Sequence, residues 1–180
     1  MQQPSTKTTW AIDPVHSRIR FETKYLKITT VSGWFREFEG AIVTENDQFD
    51  KSVIQLTIYT NSLYTGNDFR DNHLRSPDFF DTKKYPVINF QSTSVQMQGD
   101  TVAVNGILSV KDIQQNYRFT ARYLGMNIDP NGNTKAGFEM DCIFNRKDFN
   151  ISWNQLYGAD ALLLSDEVKL HADMQLLKLS

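Results

Sequence analysis

The sequence predicts an all-β protein: a closed antiparallel barrel of about eight strands, with a short helical insertion at about residues 66–83. Three observations lead there. Apolar residues recur at every second position over most of the chain, which is the period of a strand with one buried face. Short polar turns separate these runs, and connections that short join antiparallel neighbours. Alternation lapses in one interval only, Thr65 to Lys84.

Taken in order, Ile54, Leu56 and Ile58 alternate with Gln55, Thr57 and Tyr59. Val102, Val104, Gly106, Leu108 and Val110 repeat the pattern, as do Tyr117, Phe119, Ala121 and Tyr123 against Arg118, Thr120 and Arg122. Phe138, Met140, Cys142 and Phe144 follow, and Val168, Leu170, Ala172, Met174 and Leu176 close the chain. Turns are expected at Asp47 to Asp50, at Gln98-Gly99-Asp100 and at Asp129-Pro130-Asn131-Gly132-Asn133. Several runs approach ten residues, longer than the usual strand, and long up-and-down strands suit a closed barrel. Within the exceptional interval, Ser76 offers an N-cap and Pro77 a first helical residue, which predicts two short helices at 66–75 and 77–83. Residues 1–9 read as a flexible leading segment and 10–180 as one domain, since 180 residues suit a single core.

Composition narrows the partners. With 19 basic against 21 acidic residues there is no positive field to attract phosphates, so nucleic acid is a poor partner. The single cysteine, Cys142, has no intrachain partner, and its apolar strand marks it as core. No run approaches the ~18 apolar residues of a membrane-spanning helix. The opening residues show no secretory signal, so the sequence as it stands reads as cytoplasmic, with a periplasmic location as the alternative if a leader has been removed.

Sites with chemistry are few. His16, His73 and His171 fall in no metal-spaced pair, so neither a metal nor a cofactor is expected. His16 can bond back to Asp13. For His73 a local hydrogen bond and a polar contact to a ligand head group both stand open. Arg70, Asp71 and Arg75 are placed to pair along a helix surface, with Arg75 at the pocket mouth as the sharper reading. Asp129 to Asn133 reads as a hairpin turn because its glycine and Glu139 miss the calcium-loop positions. Asn150-Ile151-Ser152 fits a glycosylation acceptor pattern and is read as chance. No nucleophile elbow, phosphate loop or dinucleotide fingerprint occurs.

Several stretches, in order, resemble one family. Trp10-Ala11-Ile12-Asp13 with His16-Ser17 and Phe21, then Gly33-Trp34-Phe35 with Phe38-Glu39-Gly40, are similar to the opening strands of the YceI-like family. The run from Arg70 to Asp81, followed by Lys84-Tyr85-Pro86, resembles its most recognisable stretch, and Arg146 to Ile151 and Ser165 to Val168 complete the series. The resemblance implies a lipocalin-like, extended barrel whose tunnel holds a polyisoprenoid, isoprenoid quinone or fatty-acid tail, and it implies no catalytic residues. On this sequence the tunnel wall then comprises Phe21, Trp34, Phe38, Leu56, Ile58, Phe90, Phe119, Phe138 and Phe144, with Phe69, His73, Leu74, Phe79 and Phe80 from the helical segment. Tyr25 stands where many family members carry a histidine, a candidate contact for the ligand's polar end. Asp112 and Asn116 replace the family's usual glycine and proline, so the hairpin there is expected to differ.

An eight-stranded barrel can be filled by its own side chains or hold one ligand. Ten methylenes buried at about 0.8 kcal/mol each contribute ~8 kcal/mol before association costs, so a cup of this kind favours long chains. The expected function is therefore to bind, and carry or sequester, a long-chain amphipathic lipid. Two alternatives remain at this level: an enzyme in which His73 or Asp71 acts on a bound isoprenoid or acyl compound, and a filled barrel working through surface contacts near Trp153, Leu156 and Tyr157. An exposed flank leaves room for a homodimer.

Overall fold

In the computed structural model, which describes residues 6–157 and 161–179, eleven of the thirteen strands make up eight rows. Three rows are interrupted: β1 (Lys7–Ile12) continues as β2 (Arg18–Tyr25), β3 (Thr29–Phe35) as β4 (Phe38–Glu45), and β5 (Gln48–Tyr59) as β6 (Leu63–Tyr64). Four long strands follow, β7 (Val87–Gln98), β8 (Thr101–Val110), β9 (Ile113–Ile128) and β10 (Thr134–Asn145). A small hairpin of β11 (Leu156–Tyr157) and β12 (Ala161–Leu162) precedes β13 (Leu164–Lys178). All neighbours are antiparallel, and β13 closes the barrel by pairing with β10 on one side and with β1 and β2 on the other. The first strand begins at Lys7, so residues 7–9 belong to the barrel and not to a leading segment.

The three interruptions lie side by side and bend the wall together. Tyr59 N–H donates to the Glu37 carbonyl at 3.0 Å, and Glu37 N–H donates to Ser62 Oγ at 3.0 Å, so one corner is bonded to the next. At the first break, Asp13 Oδ2 accepts from Lys135 Nζ at 2.9 Å and from Gln175 Nε2 at 3.1 Å, and lies 3.0 Å from His16 Nδ1. The expected His16 to Asp13 contact is thus present. Ser17 Oγ accepts from Gln175 N–H at 2.9 Å, which carries pairing across the gap.

Turn chemistry departs from expectation at two places. The β4–β5 turn is Asn46–Asp47, not Asp47 to Asp50, because both residues take the left-handed conformation that a two-residue hairpin requires. The β8–β9 turn uses Lys111 in that conformation without a glycine. Gln98 to Asp100 and Asp129 to Asn133 turn as expected.

Strand directions place the β2–β3 turn, the 65–86 segment, the β8–β9 turn and the 146–163 segment at one end of the barrel, called here the upper end. Pairing between β5 and β7 stops at Tyr59 and Val87, and β6 runs on beyond it. The 65–86 segment fills that opening. It holds one α-helix, α1 (Asp68–Arg75), in place of the two expected. Asn67 caps its start by accepting from Arg70 N–H at 2.9 Å. Ser76 ends it: its Oγ donates to the His73 carbonyl at 2.7 Å, and residues 77–84 form turns bonded back to Leu74, Arg75 and Ser76. Proline at 77 here follows a helix C-terminus, where it also fits.

A second seam lies between β9 and β10. Their ladder runs from Ile128–Thr134 to Ala121–Met140 and then stops. Above it Tyr117 packs on Phe144 and Phe149 at ring-centroid distances of 4.7 and 5.9 Å. No described helix is long and apolar enough to cross a membrane.

Candidate functional site

Because inward positions recur at every second residue, the barrel interior is a stack of apolar layers. Trp10, Phe49, Ala136 and Leu176 form the lowest, with the buried indole N–H of Trp10 satisfied by Thr44 Oγ1 at 3.1 Å. Phe90, Val95, Val102 and Val104 form the next. The upper layer is larger and is built from Ile19, Phe35, Phe38, Ile58, Ile88 and Val110, together with Phe79, Phe149 and Ile151 from the upper-end segments.

A cavity of about 110 Å³ lies between these layers, walled by apolar side chains that include Ile12, Leu56, Phe90, Val104, Phe119 and Phe138, with Met140 and Met174 beside them. Glycine shapes one wall. A Cβ on the inward-facing Gly106 would come within 2.3 Å of the Phe90 ring and 2.5 Å of the Gln91 carbonyl, so the Phe90 ring occupies space that a side chain would take. Gly33 does the same for Phe21, at 2.6 Å.

Of the residues expected to line the tunnel, Leu56, Phe90, Phe119 and Phe138 reach the cavity. Phe38, Ile58 and Phe79 are buried in the upper layer, and Phe21, Leu74, Phe80 and Phe144 pack against it. Three are corrected to the outside. Trp34 shares a strand with inward Gly33 and Phe35 and so points outward, where its ring meets Tyr64 at 5.2 Å and Arg36 lies over Tyr64. Tyr25 has inward parity but stands at the end of β2, half-exposed beside the turn. Phe69 is 86% exposed because α1 buries the opposite face, which carries Asp71 and Leu74. Ile12, Phe49, Val95, Val104 and Leu176 are wall residues absent from the expected set; their inward parity was the available signal.

His73 sits outside the cavity wall. Its ring meets Phe79 and Trp153 edge-on at 5.0 and 4.7 Å, and Nε2 lies 2.9 Å from Asp78 Oδ2. The expected pairing among Arg70, Asp71 and Arg75 is replaced by bonds to Thr65 and to the backbone of residues 61 and 63. Asp71 is buried and accepts from Thr65 N–H, Arg70 donates to the Thr65 hydroxyl and carbonyl, and Arg75 donates to the carbonyls of Asn61 and Leu63. Arg75 therefore fastens α1 to β6 and does not face a ligand head. Trp153 is half-buried against the upper layer while Leu156 is exposed; the side chain of Tyr157 lies outside the described residues.

Two polar features had no sequence expectation. Arg146, 6% exposed, donates to the carbonyls of Ile151, Trp153 and Ser165 and to Asp166, and so ties the 146–155 segment to β13. On the outer face, ligand-type atoms of Glu139, His171 and Asp173 lie within 4.8 Å of one another. These groups are engaged in an ion-paired row: Arg122 with Glu139 at 2.7 Å, His171 with Asp141 at 2.7 Å and Asp173 at 3.1 Å, and Arg20 with Asp173 at 3.4 Å. The Asp141 hydrogen bond, aided by Asp173, raises the His171 pKa above the usual histidine range. Burial among apolar neighbours pushes the Cys142 thiol up to about 12, so it is protonated and unreactive at neutral pH.

A closed antiparallel barrel with an apolar internal cavity and a helix-covered end defines a class of small hollow β-barrels. Within that class the chain belongs to the YceI-like family, whose domain model matches residues 10–176. It is 35% identical to Protein YceI of Escherichia coli O6:H1 over 136 residues, 76% of this chain and 71% of that protein. Protein YceI of Salmonella newport is 33% identical over 137 residues, 76% of this chain and 72% of the relative. Among solved structures, BcnA of Burkholderia cenocepacia superposes with a TM-score of 0.78 at 20% identity, covering 91% of this chain and 98% of its own. A polyisoprenoid binding domain from Saccharophagus degradans superposes with a TM-score of 0.73 at 16% identity, covering 93% and 97%. At those identities the two structures show the fold alone.

Proposed function

We propose that this protein binds a long-chain amphipathic lipid of the polyisoprenoid, isoprenoid quinone or fatty-acid type inside the barrel, and carries or sequesters it. The observation that carries the reading is the internal cavity with its apolar wall. Membership of the YceI-like family supports it, as does the shared fold with a domain named for polyisoprenoid binding. An apolar cavity with no polar partners for water is a place for hydrocarbon.

Size sets a condition. At about 110 Å³ the cavity is well below the roughly 300 Å³ at which ligand sites begin. A long tail therefore enters by displacing wall side chains. Met140 and Met174 are unbranched and adaptable, and the upper layer stands in line with the cavity. Neither group named in the enzyme reading lines the cavity: Asp71 is spent on Thr65 and His73 on Asp78.

Mass spectrometry of an organic extract of the purified protein tests the reading, together with titration of a long-chain fluorescent fatty acid. A released long-chain lipid, or saturable probe binding that a polyisoprenoid displaces, is the expected result. No released lipid and no probe binding overturns it. Leu56→Trp and Phe119→Trp, which put bulk into the cavity, should weaken long-chain binding at least about tenfold in folded protein.

A further inference from the structure

The cavity adjoins a stretch of wall that backbone hydrogen bonds do not close. Above the Ala121–Met140 pair no ladder joins β9 to β10, although β8 stays paired with β9 up to Ile113 and β13 with β10 up to Asn145. Phe119, Ala121 and Met140, which line the cavity, stand at the foot of this seam. Among the described residues, it is crossed by the contact of the Tyr117 ring with Phe144 at 4.7 Å. Its top is closed by Phe149, 5.9 Å from Tyr117, and by a long 3.5 Å bond from Gln115 Nε2 to the Asp148 carbonyl.

Other ways in are bonded shut. At the upper end Lys111 Nζ donates to the Phe79 carbonyl at 3.0 Å, and Thr60 donates from its N–H to the Pro86 carbonyl at 2.9 Å and from Oγ1 to the Tyr85 carbonyl at 2.8 Å. These bonds add to those that fasten α1. The lower end is stopped by Trp10 and Leu176, both fully buried. The β5–β7 ladder also ends, below Gln55 and Gln91, but there Ser92 Oγ accepts from Ile54 N–H at 2.8 Å and Asp50 Oδ1 accepts from Met97 N–H at 2.9 Å.

We infer that the lipid tail passes into and out of the barrel sideways, through the β9–β10 seam, and that the rings of Tyr117 and Phe144 are its gate. The inference rests on the proposed lipid cargo and says where that cargo crosses the wall. Parting a backbone ladder or the fastenings of α1 leaves hydrogen-bonding groups unpaired against a hydrocarbon tail, which cannot replace their partners. Turning the rings of Tyr117 and Phe144 breaks no backbone bond and exchanges ring contacts for contacts with the tail. Inward positions alternate along a strand, so Tyr117 continues the row of Phe119 and Phe144 the row of Met140. A tail that slips between the two rings therefore arrives at the cavity wall.

The test is the rate at which the long-chain fluorescent fatty acid loads, read by stopped-flow fluorescence. Continuing the register above Ala121–Met140 sets Arg118 opposite Ile143, both on the outer face. Protein carrying Arg118→Cys, Ile143→Cys and Cys142→Ala is joined across the seam by a disulfide or a short bis-maleimide, with the link confirmed by mass spectrometry. It should then load at least about tenfold more slowly than before cross-linking. A control carrying Ile143→Cys, Lys169→Cys and Cys142→Ala joins residues already paired in the β10–β13 ladder, and should load as fast linked as unlinked. Tyr117→Ala, in the otherwise unaltered protein, should speed loading, and release into excess unlabelled fatty acid, at least about fivefold, because it removes one leaf of the gate. An unchanged loading rate across the linked seam overturns the inference, as does equal slowing in the control or a Tyr117→Ala variant with wild-type rates. Those outcomes leave the cargo standing, since the probe still binds. Protein that binds no probe in any form overturns the cargo reading, and the route with it.

Discussion

The buried carboxylate of Asp71 accepts the backbone N–H of Thr65 at 3.0 Å, which fixes the chain where it leaves β6 and turns into α1. Arg70 grips the same residue from the other side, through its hydroxyl at 2.7 Å and carbonyl at 2.8 Å. One residue of loop is thus held at three polar atoms. Asp71→Ala leaves a half-buried N–H without its partner, and the expected loss is about 1–3 kcal/mol of unfolding free energy in urea denaturation. Arg70→Ala leaves the Thr65–Asp71 bonds in place and should cost less.

Arg146 presents its planar fork to three carbonyls and a carboxylate, a geometry that an ammonium cannot reproduce. Arg146→Lys should lower stability by roughly 2 kcal/mol, and Arg146→Met by about 3 kcal/mol or more, because buried acceptors are left unpaired. Near-ultraviolet circular dichroism of Trp153, whose carbonyl is one of those acceptors, should lose intensity in both variants before the barrel melts.

Gly106 is predicted to tolerate no Cβ. Gly106→Ala should cost about 1–3 kcal/mol through strain against the Phe90 ring and the Gln91 carbonyl. Combined with Phe90→Leu, which vacates ring volume, the loss should be smaller than the sum of the two single losses, as read from a double-mutant cycle in thermal denaturation.

The outer-face charge row makes a pH prediction. His171 has a raised pKa in the folded protein, so its contribution to stability is fully present below the unfolded value of about 6.5 and is lost as pH rises through the folded value. Asp141→Asn should bring the His171 pKa down in an NMR titration and flatten that part of the stability profile. A His171 that titrates identically in the variant contradicts the assignment of Asp141 as the main cause.

Alternation made the barrel legible, because a period of two needs only local information. Parity also placed part of the wall: Leu56, Phe90, Phe119 and Phe138 reach the cavity from the inward face of their strands. Trp34 was placed in the wall on the resemblance, against the parity by which its neighbours Gly33 and Phe35 take the inward face. Tyr25 shows the limit of parity, which fails where a strand ends. The role of Ser76 was reversed because a serine followed by proline suits the beginning of one helix and the end of another, and only the Oγ bond to His73 distinguishes them. Asp71 and Arg146 escaped because burial of a charge is a long-range property: their partners are largely backbone atoms, which a sequence does not differentiate.

The parting of β9 from β10 above Ala121 and Met140 bears on how much the barrel can hold. A fully laddered barrel has its circumference set by backbone hydrogen bonds, and enlarging it means breaking a row of them. Along this stretch the strands meet through the rings of Tyr117, Phe144 and Phe149, so the girth there is set by side-chain rotamers. Under the proposed function, widening of the sleeve along that stretch breaks no β9–β10 backbone bond, and the small resting cavity then measures a relaxed state and not a capacity.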